Sequence, residues 1–310
     1  MTLHLIPTSR RRFFQTTVAG GFTAIACQPG IAAPDVATQP WALLADTHMA
    51  SDKSTVARGT NMFDNLNRVI DELLAEDTLP AGVIINGDCA YLKGLSGDYK
   101  TLKQPIDRLV EAGLAVHMTM GNHDDRGPFY DAFADQKPDT ELVAGKHVTV
   151  VRSSGANLFL VDSLKEVNVV TGELGKSQLD WLLDALQKHT DKPAIIIGHH
   201  NPQYLPKGST AKVSGLADTA ALVDVMHSQP HVQAYFFGHT HDWKLTKTAG
   251  RVHLINQPPV AYVFNQSRPN GWVRLTLGDE EFSVELRALD KSHPQHGEKQ
   301  VLEHRFATAK

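Results

Sequence analysis

Five short polar motifs occur in order along the chain, and each follows an apolar run. They read D-T-H from Asp46, G-D from Gly87, G-N-H-D-D from Gly121, G-H-H from Gly198 and G-H-T-H from Gly238. Asp, Asn and His side chains supply the oxygen and nitrogen atoms that bind hard and borderline metal ions. Because the motifs contain no set of cysteine ligands, a zinc finger is excluded. The motifs therefore predict a metal centre of oxygen and nitrogen ligands.

The spacing within two motifs supports this prediction. Asp46 and His48 are two residues apart, as are His239 and His241. In an extended segment, side chains at this spacing point to the same side, so both can reach one ion. The motifs together offer about seven ligands, whereas one ion needs about four to six. This surplus suits two ions that share a bridging carboxylate, an arrangement that polarises a phosphoryl oxygen and makes hydroxide at neutral pH.

The apolar runs before the motifs predict buried strands, and the ends of such strands are where open α/β proteins bind ligands. We predict strands at 41–45, 83–86, 115–120, 147–151, 157–162, 194–198, 232–237, 252–256, 271–276 and 281–287. Apolar residues at helical spacing predict helices at 62–74, 102–112, 177–188 and 219–227. The first half reads βαβαβ and the last third is rich in strands, which predicts one mixed α/β domain over 38–289.

The N-terminal segment is typical of an export signal. The sequence S-R-R-R-F-F at 9–14 matches a twin-arginine motif, and an apolar stretch at 16–26 follows it. This stretch is too short to cross a membrane and ends in an A-x-A cleavage site, with a second candidate near Ala32 or Ala33. We therefore predict a signal peptide at 1–33, the twin-arginine translocase as a partner, and a periplasmic or secreted protein. Lipid attachment at Cys27 and cleavage beyond it are both open.

Composition limits the remaining classes. The 310 residues are 42% hydrophobic and carry a formal net charge of -4, which fits one globular domain with a sizeable core. No long stripe of Lys and Arg is present, so we predict no nucleic-acid surface. From about residue 290 the chain is polar and rich in His and Lys, and we expect a polar surface tail at 290–310. The oligomeric state is left open.

The ordered set D-x-H, G-D, G-N-H-D, H and G-H-x-H resembles the calcineurin-like metallophosphoesterase superfamily, from about Trp41 to about Val263. The resemblance implies a two-sheet β-sandwich flanked by helices on both outer faces, with two metal ions at the strand ends. Fe, Mn, Zn and Co are all open as the metal. The first ion would be held by Asp46, His48, Asp88 and His241. The second would be held by Asp88, Asn122, His199 and His239, so that Asp88 bridges the two ions.

The resemblance also implies roles around the metals. His123 would protonate the leaving oxygen, and Asp124 would orient its ring. Related purple acid phosphatases place a ligand third after a strand Val, which favours His199 over His200 because Ile196 holds that strand position. His200 would then face the substrate or the core.

Two departures narrow the subfamily. The G-D-x-x-Y pattern that ends at Tyr91 matches purple acid phosphatases, but their first motif is D-x-G, and here His48 takes that place. Tyr91 is therefore expected to form a wall of the site or lie behind the ligands. The signature G-D-x-V-D-R-G of Ser/Thr protein phosphatases is absent, which disfavours that class.

These patterns predict a phosphoric ester hydrolase in which metal-bound hydroxide attacks a small phosphodiester or phosphomonoester in line. The similarity to cyclic-nucleotide and glycerophosphodiester hydrolases favours diesters. Arg126 and Lys93 are candidate cations for binding the substrate. Two other classes stay open: a metal-binding interaction module without catalysis, and a chelator of zinc or copper. The intact His123-Asp124 pair disfavours the first, and the separation of the motif histidines disfavours the second.

Overall fold

The computed structural model describes residues 39–249, 251–278 and 280–304, so the expected signal peptide and Cys27 lie outside the described residues. The strands are β1 (Trp41–Ala45), β2 (Val56–Ala57), β3 (Thr60–Asn61), β4 (Gly82–Asn86), β5 (Val116–Thr119), β6 (Thr149–Arg152), β7 (Asn157–Leu160), β8 (Ala194–Ile197), β9 (Val232–Phe237), β10 (Lys244–Lys247), β11 (His253–Asn256), β12 (Gly271–Leu277), β13 (Glu281–Ala288) and β14 (Lys299–Glu303). The α-helices are α1 (Met62–Leu74), α2 (Ser96–Glu111), α3 (Arg126–Ala132), α4 (Lys176–Lys188) and α5 (Thr219–Ser228).

Most of the strands form two mixed six-stranded sheets. The first sheet has the order β14-β13-β12-β1-β4-β5, and the second has the order β10-β11-β9-β8-β7-β6. The strands β1, β4 and β5 run parallel, as do β7, β8, β9 and β11. The carboxyl ends of the parallel strands in each sheet therefore lie along one edge, where five of them carry the polar motifs.

Alternation along the strands divides the core into layers. Leu43 and Ile84 of the first sheet pack between the sheets, together with Ile195 and Phe236 of the second. The neighbouring residues of the first sheet face the other way and pack against α1 and α2. The helices α4 and α5 cover the outer face of the second sheet. This confirms the predicted sandwich with helices on both outer faces, and it explains why the strands read as unbroken apolar runs.

The helices follow the predicted spacing, with one difference in length. In α1, Leu66, Val69, Ile70 and Leu73 are buried on one face, and Asn61 caps the helix by accepting the N–H of Asp64. The second helix begins at Ser96, six residues before the predicted start. Its first turn lacks apolar periodicity, but the Asp98 carboxylate accepts the backbone N–H of Leu95 at 3.1 Å and supports that turn. No helix in the described ranges is long and apolar enough to cross a membrane.

Five of these elements carry weak sequence signals and were not predicted: α3, β2, β3, β10 and β14. The last of these lies within the expected polar tail, which is therefore corrected to include an edge strand at Lys299–Glu303. The strand β14 pairs with β13 through backbone hydrogen bonds at the edge of the sheet. Because most of its side chains are exposed, it needs no apolar pattern in the sequence.

Candidate metal centre

The five motifs meet at the carboxyl ends of β1, β4, β5, β8 and β9. Asp46 follows β1 directly, and Asp88 follows β4 after one glycine. Backbone hydrogen bonds continue beyond the strands, since the N–H of Asp46 donates to the carbonyl of Gly87 at 3.1 Å and that of His48 donates to the carbonyl of Asp88 at 2.9 Å. Because both sheets contribute, the motifs line one cleft at the edge of the sandwich.

The backbone at the site is strained in a consistent way. Five of the expected ligands have positive φ, although none is glycine: Asp46 (52°), His48 (43°), Asp88 (46°), His239 (66°) and His241 (51°). This left-handed region is uncommon for residues with a side chain, and such strain persists mainly where function requires it. The turns aim the carboxylates and imidazoles back toward the cleft.

Two glycines allow the chain to approach the carboxylates closely. A Cβ atom at Gly121 would lie 2.2 Å from Oδ1 of Asp88, and one at Gly238 would lie 2.3 Å from Oδ2 of Asp46. Neither distance is tolerable, so both positions need glycine for reasons of space.

The first group of converging side chains contains Asp46, His48 and His241, whose ligand atoms all lie within 4.8 Å of one another. Oδ1 of Asp46 lies 3.4 Å from Nε2 of His241 and 3.9 Å from Nε2 of His48. The Nδ1–H of His241 donates to the carbonyl of Tyr262, so its Nε2 carries the lone pair. This atom points into the group and lies 3.0 Å from Nε2 of His48.

The second group contains Asp88, His199 and His239. Oδ2 of Asp88 lies 3.2 Å from Nε2 of His199. His199 donates its Nδ1–H to the carbonyl of Asn86 at 2.9 Å, and His239 donates its Nε2–H to the carbonyl of Ser214 at 2.7 Å. The carbonyls thus direct Nε2 of His199 and Nδ1 of His239 into the group. When the rings are neutral, these two atoms carry the lone pairs that a metal ion requires.

Orphaned polar atoms show that these residues fit a metal. Oδ1 of Asn122 and Nε2 of His199 are buried in the described structure without a hydrogen-bond partner. Burial lowers the pKa of His199, but the carboxylates of Asp88 and Asp46 outweigh it and raise that pKa to about 10. The pair of buried carboxylates therefore calls for positive charge, which a divalent cation would supply.

Comparison with known proteins agrees with this geometry. Residues 40–243 match the model of a protein family that is described as "Calcineurin-like phosphoesterase". This chain belongs to that family. The family and the groups of converging ligand residues together indicate divalent metal ions in this chain. Its enzyme class is that of the phosphoesterases, which hydrolyse phosphoric esters.

Two relatives and one solved structure are similar to this calcineurin-like phosphoesterase. "Probable cyclic nucleotide phosphodiesterase" from Ruthia magnifica subsp. Calyptogena magnifica is 27% identical over 237 residues, which cover 76% of this chain and 92% of that protein. A cAMP/cGMP dual specificity phosphodiesterase from Mycobacterium tuberculosis is 26% identical over 200 residues, covering 64% of this chain and 60% of that protein. A dimetal phosphatase from Danio rerio superposes with a TM-score of 0.66 at 14% identity, covering 86% of this chain and 99% of that one, and this shows the shared fold.

The predicted partner of His123 is wrong. The Nδ1–H of His123 donates to the carbonyl of Leu92 at 2.7 Å, not to Asp124. Asp124 is fully buried and accepts the backbone N–H groups of Cys89, Ala90 and Gly121. Its carboxylate therefore ties the loop after β4 to the loop after β5, because these backbone amides need an acceptor more than the half-buried ring of His123 does. The ring of His123 still lies beside that of His48, with centroids 5.3 Å apart.

Arg126 is not free to bind a substrate. Its guanidinium donates to both oxygens of Asp162, at 2.7 and 2.8 Å, and also to the carbonyl of Leu164. Asp162 is completely buried, so the fork is needed to balance its charge. Lys93, the other candidate cation, lies at an exposed position after Tyr91.

Of the two places expected for His200, the substrate side and the core, the structure shows the core. It is completely buried and faces Ser163, whose hydroxyl lies 2.7 Å from its Nδ1. Its ring centroid lies 4.5 Å from that of His239, so His200 packs behind a candidate ligand. Tyr91 is half-buried and packs against a cluster of buried residues that includes Tyr262, as expected for a wall of the site.

Two residues that shape the centre, Asn86 and Tyr262, belong to none of the five motifs. Asn86, at the end of β4, donates to Gly198 and Gln257 at the edge of the second sheet, and its own carbonyl orients His199. The polar residue that closes an apolar strand was a signal for this role. Tyr262 stacks on His48 with ring centroids 5.1 Å apart, and its distant position in the sequence gave no such signal.

Proposed function

We propose that this chain is a dinuclear-metal phosphoesterase that cleaves phosphodiesters. The observation that supports two ions is the shared position of Asp88. Its Oδ2 lies 3.2 Å from Nε2 of His199 and 3.7 Å from Nε2 of His48, which belong to different groups of ligands. A carboxylate between two such groups is suited to bridging.

Asp46, His48, Asp88 and His241 would hold the first ion, and Asp88, Asn122, His199 and His239 would hold the second. When bound, two divalent or trivalent ions such as Fe, Mn, Zn or Co would stabilise charge on the phosphoryl oxygens and supply a nucleophile for in-line attack. The protein supplies the geometry, since backbone carbonyls fix the tautomers of three ligand histidines.

His123 is the proposed proton donor to the leaving oxygen. Its Nδ1–H is held by the carbonyl of Leu92, so Nε2 can carry the transferred proton. The ring is half-buried and in contact with the cleft through His48. A proton donor placed this way favours a catalyst over an interaction module that only retains metals.

The diester preference rests on the relatives. The names of both similar proteins describe cyclic nucleotide phosphodiesterases, at 27% and 26% identity. A singly charged phosphodiester needs less positive charge beyond the metals than a doubly charged monoester does. Arg126 is already paired with Asp162 and does not supply that charge.

The test combines metal analysis with two substrates that have the same leaving group. The mature protein, loaded in turn with Fe, Mn, Zn and Co, should bind two ions per chain and hydrolyse ethyl p-nitrophenyl phosphate and p-nitrophenyl phosphate. The proposal predicts a higher kcat/KM for the diester. One ion per chain, or no hydrolysis of either ester with any of these metals, would contradict it.

We also propose export through the twin-arginine pathway to the periplasm or the exterior, on the basis of the motif at 9–14. Replacing Arg10 and Arg11 by Lys should retain the uncleaved precursor inside the cell. Unchanged export of that variant would contradict the proposed route, and mass spectrometry of the mature N-terminus would establish whether Cys27 carries a lipid.

A further inference from the structure

A short hairpin brings an arginine to the rim of the cleft that contains the candidate metal ligands. Strands β2 and β3 pair Val56 with Asn61 and Ala57 with Thr60, and the turn between them consists of Arg58 and Gly59. Both turn residues have positive φ, 48° for Arg58 and 82° for Gly59. These are the signs of a type I′ turn, whose first position is usually Asn, Asp or Gly. An arginine there occupies a strained conformation that a smaller polar residue would adopt more easily.

The hairpin is fixed in place on the wall of the cleft. Ala57 packs on a cluster of buried residues that contains Ala50, Met62 and Tyr262. The side chain of Asn61 donates to the carbonyl of Lys53 at 2.9 Å, which ties the end of the hairpin to the segment before it. The position of Arg58 is therefore set by packing, and its side chain reaches back over the aromatic rim.

Two stacked rings connect Arg58 to the metal ligands. Phe264 is 53% exposed, and its ring stacks on His241 with centroids 4.2 Å apart. The guanidinium carbon of Arg58 lies 4.8 Å from the centroid of Phe264 and 5.9 Å from that of Tyr262. His241, Phe264 and Arg58 thus form a stack that starts at a candidate ligand and ends in a cation.

The guanidinium keeps its hydrogen-bonding capacity. Within the part of the chain that the structure describes, it forms no hydrogen bond and no ion pair, and its contacts are with the two aromatic rings. Contact with ring faces leaves the N–H groups at the edge of the guanidinium plane available, and their fork matches the oxygens of a phosphate or a carboxylate. By contrast, Arg126 uses its fork on Asp162.

We propose that Arg58 is a specificity-determining residue that binds a second negative charge on the substrate. This inference rests on the proposed hydrolysis at the metal centre, and it concerns which esters that centre prefers. The second charge could be the additional oxygen of a phosphomonoester or a separate anionic group on one alcohol of a diester. Both sources present the same chemical group to Arg58, an oxyanion next to the phosphoryl oxygens that the metal ions would bind. Matched substrates can distinguish the two sources.

The test uses Arg58→Asn, which removes the cation and suits the left-handed turn, so that the fold is retained. The variant is compared on two matched pairs with p-nitrophenolate as the leaving group. The first pair is p-nitrophenyl phosphate and ethyl p-nitrophenyl phosphate. The second is thymidine 5′-(p-nitrophenyl phosphate) with and without a 3′-phosphate. In at least one pair, kcat/KM for the more charged ester should fall by about tenfold to a hundredfold, mainly because KM rises. For the less charged ester of that pair, kcat/KM should change by less than about threefold.

The pair that responds identifies the source of the charge, and Arg58→Lys should restore part of the loss. Lys53→Met is the matched control, because Lys53 is an exposed cation over another ring, Phe63, in the same segment. It should leave both pairs unchanged.

Equal loss on all four esters, loss confined to the two thymidine esters regardless of charge, or no loss at all would overturn the role of Arg58. Equal loss would indicate damage to the metal centre, and loss on both thymidine esters would indicate stacking of the base on the guanidinium. These outcomes differ from failure of the proposed function, in which the wild-type protein would hydrolyse none of the four esters.

Discussion

Oδ1 of Asp88 accepts the backbone N–H of His123 at 2.9 Å, and this bond joins the proposed bridging ligand to the proposed proton donor. The other oxygen of the same carboxylate lies 3.2 Å from Nε2 of His199. Because one side chain serves both purposes, the loop after β5 is positioned relative to the metals by a ligand itself. Changes at Asp88 should therefore affect metal binding and proton transfer together.

Asp88→Asn should lose metal and activity together. The amide carries no charge and cannot balance cations on both sides, so fewer than two ions per chain should remain at any of the tested metal concentrations. Elemental analysis and turnover of ethyl p-nitrophenyl phosphate measure the two effects. Asp52→Asn, at an exposed position, is the control and should retain both. Two ions per chain with near-normal turnover in Asp88→Asn would exclude the bridging role.

His123→Ala should keep its metals but lose turnover in a way that depends on the leaving group. A poor leaving group needs a proton, so kcat for an alkyl ester should fall by about 10²–10⁴. The loss should be much smaller for p-nitrophenyl esters, because nitrophenolate departs with little help. Equal losses on both kinds of ester, or loss of metal, would show that His123 is not the proton donor.

Arg126→Met should reduce stability and leave the chemistry intact. The change leaves the buried Asp162 with fewer partners, and we expect the free energy of unfolding to fall by about 2–4 kcal/mol. Turnover of the folded protein should stay within about threefold of the wild type. Arg152→Met removes an exposed partner of Asp191 and should cost less than about 1 kcal/mol. Denaturant unfolding compares the two variants, and a large change in KM for Arg126→Met would return this residue to the substrate site.

Gly121→Ala should weaken metal binding because of the space its methyl group requires. The new Cβ would meet Oδ1 of Asp88 at 2.2 Å, so the carboxylate has to move. Gly127→Ala is the matched control, since its Cβ would have its nearest neighbour at 3.6 Å. Metal titration should show at least about tenfold weaker binding for the first variant alone. Unchanged binding in Gly121→Ala would mean that the loop can shift without cost.

His147 should make the protein less stable in acid. Burial lowers its pKa, and the neutral ring accepts the hydroxyl proton of Tyr130 and donates to the carbonyl of Met118. Since the folded pKa lies below the usual 6.5, the stabilising effect is complete above about pH 6.5 and is lost as the pH falls below it. The loss is at most about 1.4 kcal/mol per pH unit.

The free energy of unfolding is measured for the wild type and for His147→Gln between pH 7.5 and 5.0. Both proteins are free of metal, so that protonation of the candidate metal ligands affects them equally. The wild type should lose more stability than the variant on acidification. Parallel pH profiles would contradict a lowered pKa at His147.

The sequence by itself determined the elements that carry the centre. Buried parallel strands must be apolar on both faces, so the runs before Asp46, Asp88 and His199 were visible as uninterrupted patterns, and the polar residues after them stood out. The sandwich and its flanking helices were predicted correctly for the same reason together with the family resemblance. Edge strands such as β14 were missed because exposed pairing needs no apolar period.

Tertiary structure alone decided what each polar side chain does within reach of the cleft. Asp124, Arg126 and His200 lie in or beside motifs, but each is bound to a buried group of the protein. Asp124 accepts backbone amides, Arg126 pairs with a buried carboxylate, and His200 contacts a buried hydroxyl. Arg58 and Phe264 are about two hundred residues apart and belong to no motif, yet they stack at the rim of the same cleft. Spacing along the chain predicts direction only within one element, whereas hydrogen-bond partners depend on which elements the fold brings together.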